Sequence, residues 1–243
     1  MQTWGLTDPG NIRQQNQDAY AIVPFGRDRV LMIVCDGMGG AKSGNVASSL
    51  AVEVFTDEVR RTQKAGMSPE KASAMLRSAL ELANRAVFEQ SQLSEDFTGM
   101  GTTLVAAWLN RDLAVIINVG DSRAYHFTKE DVRLVTRDHS MVAYMVERGE
   151  LTQEQAKLHP GKNVITRAVG TEPEVEGDIF TCRLRRDECI LLCSDGLSNE
   201  MADQEMLFEV VHGLSKSDCC QRLLHIAKNR GAPDNVTVTL AAV

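Results

Sequence analysis

The sequence predicts an α+β protein in which helices pack outside paired β-sheets. About ten stretches have the length and apolar pattern of strands, and two longer segments repeat apolar residues at helical spacing. Because many of the strand connections are short, neighbouring strands are expected to be antiparallel, with helices covering their outer faces. The predicted strands are Gln2–Thr7, Asp18–Val23, Arg29–Cys35, Thr103–Leu109, Leu113–Val119, Arg123–Thr128, Val132–Thr136, Val175–Arg183, Glu188–Cys193 and Val236–Ala242.

Three segments have helical patterns. The first covers Asn45–Arg61, where apolar residues recur on one face. The second opens with Ser68 as N-cap and Pro69 at the first helical position, and an apolar stripe follows. A late helix is predicted to begin at Ser215, with Asp218 completing a pair that resembles a capping box.

The segment from Asp138 to Thr166 has a different pattern from its surroundings. Short helices are predicted near Met141–Arg148 and after Thr152, which with Gln155 forms a capping pair. Segments of this kind usually lie on the surface between strands, and they often border active sites.

Composition excludes several classes of function. The 243 residues carry a formal charge of −7, which disfavours binding to nucleic acid or to an anionic membrane surface. No apolar run approaches the ~18 residues of a membrane span, and no signal peptide is evident at the start. The six cysteines form no zinc-binding pattern and are expected to be reduced and buried. We therefore expect a cytoplasmic protein without membrane insertion.

Aspartates follow or precede four of the predicted strands. Asp36 follows Val30–Cys35, Asp121 comes just after Ala114–Val119, and Asp195 comes just after Ile190–Cys193. Asp234 stands immediately before the last strand, so all four carboxylates can gather at one edge if that strand is antiparallel to the others.

Such a cluster needs a counter-charge. Unit charges about 4 Å apart repel by roughly 4 kcal/mol at an effective dielectric near 20. Carboxylates without Cys or His select hard cations such as Mg²⁺ or Mn²⁺, and two such ions can share a water and lower its pKa. Gly37 could add a backbone carbonyl because it has no Cβ. Each aspartate taken singly is more typical of a turn than of a metal site. The joint pattern at four strands brings the two interpretations level, so both stay open on spacing alone.

The sequence motifs of several other enzyme classes are absent. No cysteine is followed six residues later by an arginine, and the segment Gly37–Ser43 lacks the glycines of a Walker A loop. A G-x-S-x-G elbow is also absent from the sequence.

Seven motifs occur together along nearly the whole chain. They are Arg13-Gln14-Gln15-Asn16-Gln17-Asp18, Asp36-Gly37-Met38-Gly39-Gly40, Gly99-Met100-Gly101-Thr102-Thr103, Val119-Gly120-Asp121-Ser122-Arg123, Asp138-His139-Ser140, Ser194-Asp195-Gly196-Leu197 and Asp234-Asn235-Val236-Thr237. In this order they resemble the bacterial metal-dependent Ser/Thr phosphatases of the PPM, or protein phosphatase 2C, family.

The resemblance implies one PPM-type domain over residues 1–243, built as an α-β-β-α sandwich of two antiparallel sheets flanked by helix pairs. It also implies a flap subdomain at about residues 139–163. It further implies that Asp36, Gly37, Asp195 and Asp234 bind two Mn²⁺ or Mg²⁺ ions, and that Asp121 with Asp195 binds a third, weaker ion. Asp18 is implied to orient water, and Asn235 to stand beside the ligand Asp234. Arg13 is implied to bind the substrate phosphate. Asp36, Asp195, Asp234 and Arg13 form the catalytic set.

Two positions depart from the family pattern. Gln17 stands where some relatives have a glutamate at the second metal, and Met38 stands where eukaryotic relatives have a histidine proposed as proton donor. We therefore expect the second metal to depend more on water, and we assign no side-chain general acid.

The hypothesis for function is hydrolysis of phosphoserine and phosphothreonine in proteins. The expected partners are phosphoproteins, with a transmembrane Ser/Thr kinase as the counterpart, and the expected state is a monomer. The alternatives are a two-metal phosphodiesterase or small-molecule phosphatase, and a pseudophosphatase that only binds.

Overall fold

A computed structural model describes residues 1–40, 43–213 and 215–243. Within these residues there are eleven strands, and most of them agree with the predicted ones to within two residues at each end. The strands are β1 (Gln2–Asp8), β2 (Asp18–Pro24), β3 (Arg29–Met38), β4 (Gly101–Thr102), β5 (Leu104–Asn110), β6 (Leu113–Val119), β7 (Arg123–Phe127), β8 (Val132–Leu134), β9 (Asp178–Arg183), β10 (Cys189–Cys193) and β11 (Val236–Ala242).

The strands form two antiparallel sheets. The first has the order β1-β11-β10-β7-β8, and the second has the order β2-β3-β5-β6-β9 with β4 paired to β3. The last strand, β11, lies antiparallel to both β1 and β10, as the gathering of the aspartates requires.

Seven α-helices lie in the described part of the chain. The first two agree with the sequence prediction, and the Oγ of Ser68 accepts the backbone N–H of Lys71 as the predicted N-cap. The helices are α1 (Gly44–Thr62), α2 (Pro69–Ser91), α3 (Met141–Glu147), α4 (Gln153–Leu158), α5 (Asp195–Ser198), α6 (Asp203–Leu207) and α7 (Cys219–Asn229).

One helical prediction needs correction. The last helix begins at Cys219 rather than at Ser215, because the Ser215 Oγ accepts the N–H of Ser217 in a local turn. The short strand β4, the helices α5 and α6, and the π-helical turn at Phe208–His212 were not predicted from the sequence.

Three buried clusters fill the spaces between four layers. One lies between α1, α2 and the second sheet, and it includes Phe55, Leu76 and Trp108. The second cluster lies between the two sheets and includes Val105 and Ile190. The third cluster packs the first sheet against α5 to α7 and includes Tyr125 and Leu223. This arrangement confirms the α-β-β-α sandwich, and it explains why β3 and β10 are apolar on both faces.

None of the described helices is both long and apolar enough to cross a membrane. All six cysteines are free and buried, as predicted.

Candidate metal and phosphate site

The predicted aspartates meet at one end of the two sheets. Asp18 opens β2 and lies directly opposite Asp36 near the end of β3. Asp195 begins α5 just after β10, and Asp121 follows β6. Because β11 runs antiparallel to β10, Asp234 at its start comes to the same edge.

The carboxylates are close enough to raise one another's pKa values. Burial, then the charges of Asp18, Asp195, Asp121 and Asp234, raise the pKa of Asp36 well above its usual range. Burial and the charge of Asp234 raise the pKa of Asp195. Such mutual repulsion identifies one shared cluster rather than separate turn aspartates.

Asp18 and Asp121 show the same effect with defined values. Burial is the main cause for both, and the pKa of each is raised to about 7. For Asp18, hydrogen bonds from Thr237 and Ser194 oppose the rise. Both carboxyls therefore change their charge near neutral pH when no cation is bound.

Hydroxyl groups hold the buried Asp18 in place. Its Oδ2 accepts from the Oγ of Ser194 at 2.7 Å and from the Oγ1 of Thr237 at 2.6 Å. The Ser194 Oγ in turn accepts the backbone N–H of Thr237 at 3.0 Å. No role for either hydroxyl was predicted from the sequence, although Ser194 and Thr237 each belong to one of the seven family motifs.

Two carboxylate oxygens of the cluster are buried with no hydrogen-bond partner among the described residues. They are Asp18 Oδ1 and Asp195 Oδ1. The other oxygen of Asp195 accepts from the side chain of Asn199 at 3.0 Å. An unpartnered buried carboxylate oxygen is costly, and a divalent cation or its bound water would satisfy it.

The backbone at Asp36 and Gly37 is packed too tightly for a larger residue. A Cβ at Gly37 would collide with the carbonyl of Gly44 and would lie 2.6 Å from the Gln17 carbonyl oxygen. The Gly37 N–H donates to that same Gln17 oxygen at 3.1 Å. The Thr102 hydroxyl donates to the Asp36 carbonyl at 2.8 Å, so hydrogen bonds fix this end of β3.

Asn235 connects the cluster to the loop that carries Arg13. Its Nδ2 donates to the carbonyls of Pro9 and Gln15, both at 3.0 Å, and its Oδ1 accepts the N–H of Gln17 at 2.8 Å. The resemblance placed Asn235 only beside the ligand aspartate. Its contacts show that it holds the loop of residues 9–17 against the start of β11.

Arg13 lies at the rim of the cluster. Its Nη2 donates to Asp234 Oδ2 at 2.8 Å, and its side chain is 54% exposed. The hydrogen bond and charge of Asp234 raise the pKa of Arg13 further above its already high value. The guanidinium is therefore a fixed positive charge, and most of its donors remain free for an anion.

The donor set fits hard divalent cations, although the ligands are not arranged in a finished coordination shell. In the described ranges, no three Asp, Glu, His or Cys side chains converge closely enough to hold an ion. One oxygen of Asp234 accepts a hydrogen bond from Arg13 instead. All-carboxylate donors and buried unpartnered oxygens nevertheless match the preference of Mg²⁺ and Mn²⁺.

A cavity of about 580 Å³ opens beside the cluster. Asp121 and Asp195 form one wall, and residues of α3 and α4 such as Val142, Val146 and Ala156 form another. The segment from Asp138 to Thr166 thus borders the aspartate cluster.

The comparisons with known proteins agree with this geometry. Residues 12–226 match the family model described as protein phosphatase 2C. The chain is 37% identical over 234 residues to the serine/threonine phosphatase stp of Listeria welshimeri, covering 96% of this chain and 92% of that one. It superposes on the crystal structure of the serine/threonine phosphatase Stp1 from Staphylococcus aureus with a TM-score of 0.92 and 35% identity, covering 99% and 94% of the two chains.

A second similar structure contains metal. It is the catalytic domain of the serine/threonine protein phosphatase PstP in complex with two manganese ions, with a TM-score of 0.84, 30% identity and coverage of 99% and 97%. The fold and the carboxylate cluster define a protein phosphatase of the metal-dependent class. The chain belongs to the protein phosphatase 2C family.

Proposed function

We propose that this protein removes phosphate from phosphoserine and phosphothreonine side chains of proteins, using divalent cations held by its aspartate cluster. The observation that carries the proposal is the gathering of four aspartates around Asp36. Burial and these four carboxylates raise the pKa of Asp36 well above its usual range. Sequence similarity to serine/threonine phosphatases over nearly the full chain supports the substrate class.

The cation-holding residues are proposed from position and chemistry. Asp36, Asp195 and Asp234 would supply carboxylates for two core ions, and the Gly37 carbonyl would contribute to the second. Asp121 with Asp195 would hold a third, weaker ion. Divalent cations bound there would neutralise the carboxylates and activate water for attack on phosphorus.

Other residues of the chain would orient the reactants. Arg13, with its exposed fork of donors, would bind two oxygens of the substrate phosphate. Asp234 is both the present partner of Arg13 and a proposed cation ligand, so the guanidinium would turn from this carboxylate to bind the phosphate. Asp18, held by the hydroxyls of Ser194 and Thr237, would orient water through its buried Oδ1.

No side chain is proposed as general acid. Met38 stands near the end of β3 opposite Gly101, and its thioether cannot donate a proton. Protonation of the leaving serine or threonine oxygen would therefore come from water in the cleft.

The finer features of the proposal rest on the family resemblance. We propose that either Mn²⁺ or Mg²⁺ can serve, that the protein acts as a cytoplasmic monomer, and that residues 139–163 form a flap over the cleft of a single domain. A transmembrane Ser/Thr kinase is the proposed source of its phosphorylated substrates.

The central experiment measures phosphate release from a phosphothreonine peptide in Mn²⁺, in Mg²⁺ and in excess EDTA. Turnover is expected with either cation and none is expected with EDTA, whereas activity that persists in EDTA would refute the metal-dependent proposal. Asp36→Asn is expected to be inactive. Asp96→Asn, which changes an exposed aspartate far from the cluster in sequence, is the matched control and should keep full activity.

The alternatives are decided by the same assay with a second substrate. Faster hydrolysis of bis-p-nitrophenyl phosphate than of the phosphopeptide would favour a phosphodiesterase. No turnover of either substrate, together with Mn²⁺ binding in calorimetry, would favour a binding protein without activity.

A further inference from the structure

The motif Asp138-His139-Ser140 has no role in the proposed reaction, yet each of its side chains has a defined partner. Asp138 pairs with the guanidinium of Arg123, with a shortest distance of 2.7 Å. The Ser140 Oγ accepts the backbone N–H of Ala143 at 3.2 Å and so caps α3. The buried His139 lies between these two contacts.

His139 is joined to the turn that carries Asp121. The backbone N–H of Gly120 donates to His139 Nδ1 at 3.1 Å, and the N–H of His139 donates to the Gly120 carbonyl at 2.9 Å. Gly120 has φ of +99°, and a Cβ there would lie 2.8 Å from the Cβ of Thr103. The residue before Asp121 is therefore held in a conformation that favours glycine, with His139 on one side and Thr103 on the other.

The hydrogen bond from Gly120 determines the tautomer of the imidazole. Because Nδ1 accepts, the ring is neutral and carries its proton on Nε2. Asp178 Oδ2 lies 3.3 Å from Nε2 and is the acceptor for that proton. The Nη1 of Arg167 also lies 3.2 Å from Nε2. Its two hydrogens are used by Asp178 Oδ1 and the Glu176 carbonyl, both at 3.0 Å, so the proton on Nε2 is directed to Asp178 Oδ2.

His139 also lies where the two ends of the segment 139–163 come together. The N–H of Thr166 donates to the His139 carbonyl at 2.8 Å. Two residues further along, the N–H of Met141 donates to the Val164 carbonyl at 2.9 Å. The same residue thus touches the Asp121 turn and the base of the segment that lines the cavity.

We propose that His139 is a positioning residue, which holds the Gly120–Asp121 turn in place for cation binding and ties that turn to the base of the segment 139–163. The Nδ1 acceptor serves the turn, and the Nε2–H bond to Asp178 fixes the plane of the ring. The inference rests on the proposed function in one respect, since it takes Asp121 as a ligand of the third ion.

The first test uses the wild-type protein and needs no activity. Long-range ¹H–¹⁵N correlation spectra of the imidazole are expected to show Nδ1 without a proton and Nε2 protonated. The amide of Gly120 is expected to exchange slowly with solvent in EDTA. An Nδ1–H tautomer, or a Gly120 amide that exchanges as fast as an exposed loop amide, would overturn the proposal.

The second test compares His139→Asn with His139→Gln. The Oδ1 of asparagine can take the place of Nδ1 and accept from Gly120, whereas the amide of glutamine reaches the Nε2 position and leaves the Gly120 N–H without its acceptor. The Kd of the weakest Mn²⁺ site, measured by electron paramagnetic resonance, is expected to rise about tenfold or more in His139→Gln. In His139→Asn it is expected to stay within roughly threefold of the wild-type value.

His126→Gln is the matched control. His126 is also a largely buried histidine, but its Nε2 pairs with Glu188 at 2.8 Å between β7 and β10. It should leave Mn²⁺ binding unchanged while reporting the cost of replacing a buried, paired imidazole. Equal Mn²⁺ affinities in His139→Asn and His139→Gln would refute the positioning role.

The result separates this inference from the proposed function. If the tautomer and the Gly120 protection are as expected but the wild-type protein releases no phosphate, the proposed function fails and the positioning contact stands. If phosphate is released and the tautomer is reversed, only the role of His139 fails. Should His139→Gln not fold, the wild-type spectra still decide the matter.

Discussion

Replacing Asp121 by asparagine is expected to stabilise the protein when divalent cations are removed. Burial, followed by the charges of Asp195 and Asp138, raises the pKa of Asp121 from 3.8 to about 7. One pKa unit corresponds to about 1.4 kcal/mol, so ionising this carboxyl in the folded state costs up to about 4 kcal/mol. Asparagine keeps the shape of the side chain and carries no charge.

The pH dependence gives the prediction its sign. Because the pKa of the folded state lies above that of the unfolded state, this stability is fully present below about pH 3.8 and is lost as the pH rises to about 7. At pH 8 the variant should gain the full amount. At pH 5 the gain should fall to about 1.5 kcal/mol, because the folded protein still holds the proton there.

The assay is thermal denaturation in excess EDTA at pH 8 and pH 5, with wild-type protein, Asp121→Asn and the exposed control Asp96→Asn. For a chain of this length, the gain at pH 8 corresponds to roughly 8–16 °C in Tm. A variant no more stable than wild type at pH 8 would refute the electrostatic reasoning. So would a gain of equal size at both pH values, since packing rather than charge would then explain it.

The other predictions concern activity and packing at the same site. Asp36→Asn and Asp234→Asn should each lose nearly all phosphopeptide hydrolysis while keeping the wild-type circular dichroism spectrum, and retained turnover would remove either residue from the catalytic set. Arg13→Ala should raise KM for the phosphopeptide with Arg13→Lys between it and wild type, and unchanged KM and kcat would contradict the assigned phosphate contact. Gly37→Ala should lose roughly 1–3 kcal/mol of stability even in EDTA, because its Cβ would collide with the Gly44 carbonyl, and denaturation at wild-type urea concentration would contradict that clash.

Local patterns were sufficient for most of the secondary structure. The apolar stripe of α1 placed that helix within one residue of its observed bounds at each end. The N-cap and proline at the start of α2 did the same for its first turn. These signals depend only on residues within one or two turns, and packing against the second sheet reinforces them.

The predicted starts of α7 and β9 are wrong because they depend on contacts that the spacing of residues in the sequence does not show. Ser215 was a reasonable N-cap by type, but its hydroxyl forms a local turn and α7 begins at Cys219. Val175 was predicted to start β9, which begins at Asp178, after Gly177 packs against Leu80 and Ile117. Contacts of this kind form only after distant elements have packed.

The sequence by itself determined which residues could form the site. It shows aspartates directly beside the apolar strand segments and a glycine beside Asp36. Local residue types are enough to predict where strands end and turns begin. The family resemblance then supplied the proposed roles and the sandwich.

Only the tertiary structure decided how those residues act on one another. Antiparallel pairing of β11 with β10 brings Asp234 to the cluster, and the mutual repulsion that raises the pKa of Asp36 exists only after that pairing. The ion pair of Arg13 and the hydrogen bond from Gly120 to His139 also join distant parts of the chain. Electrostatic repulsion and hydrogen bonding depend on distance in space, and folding alone brings these groups within reach.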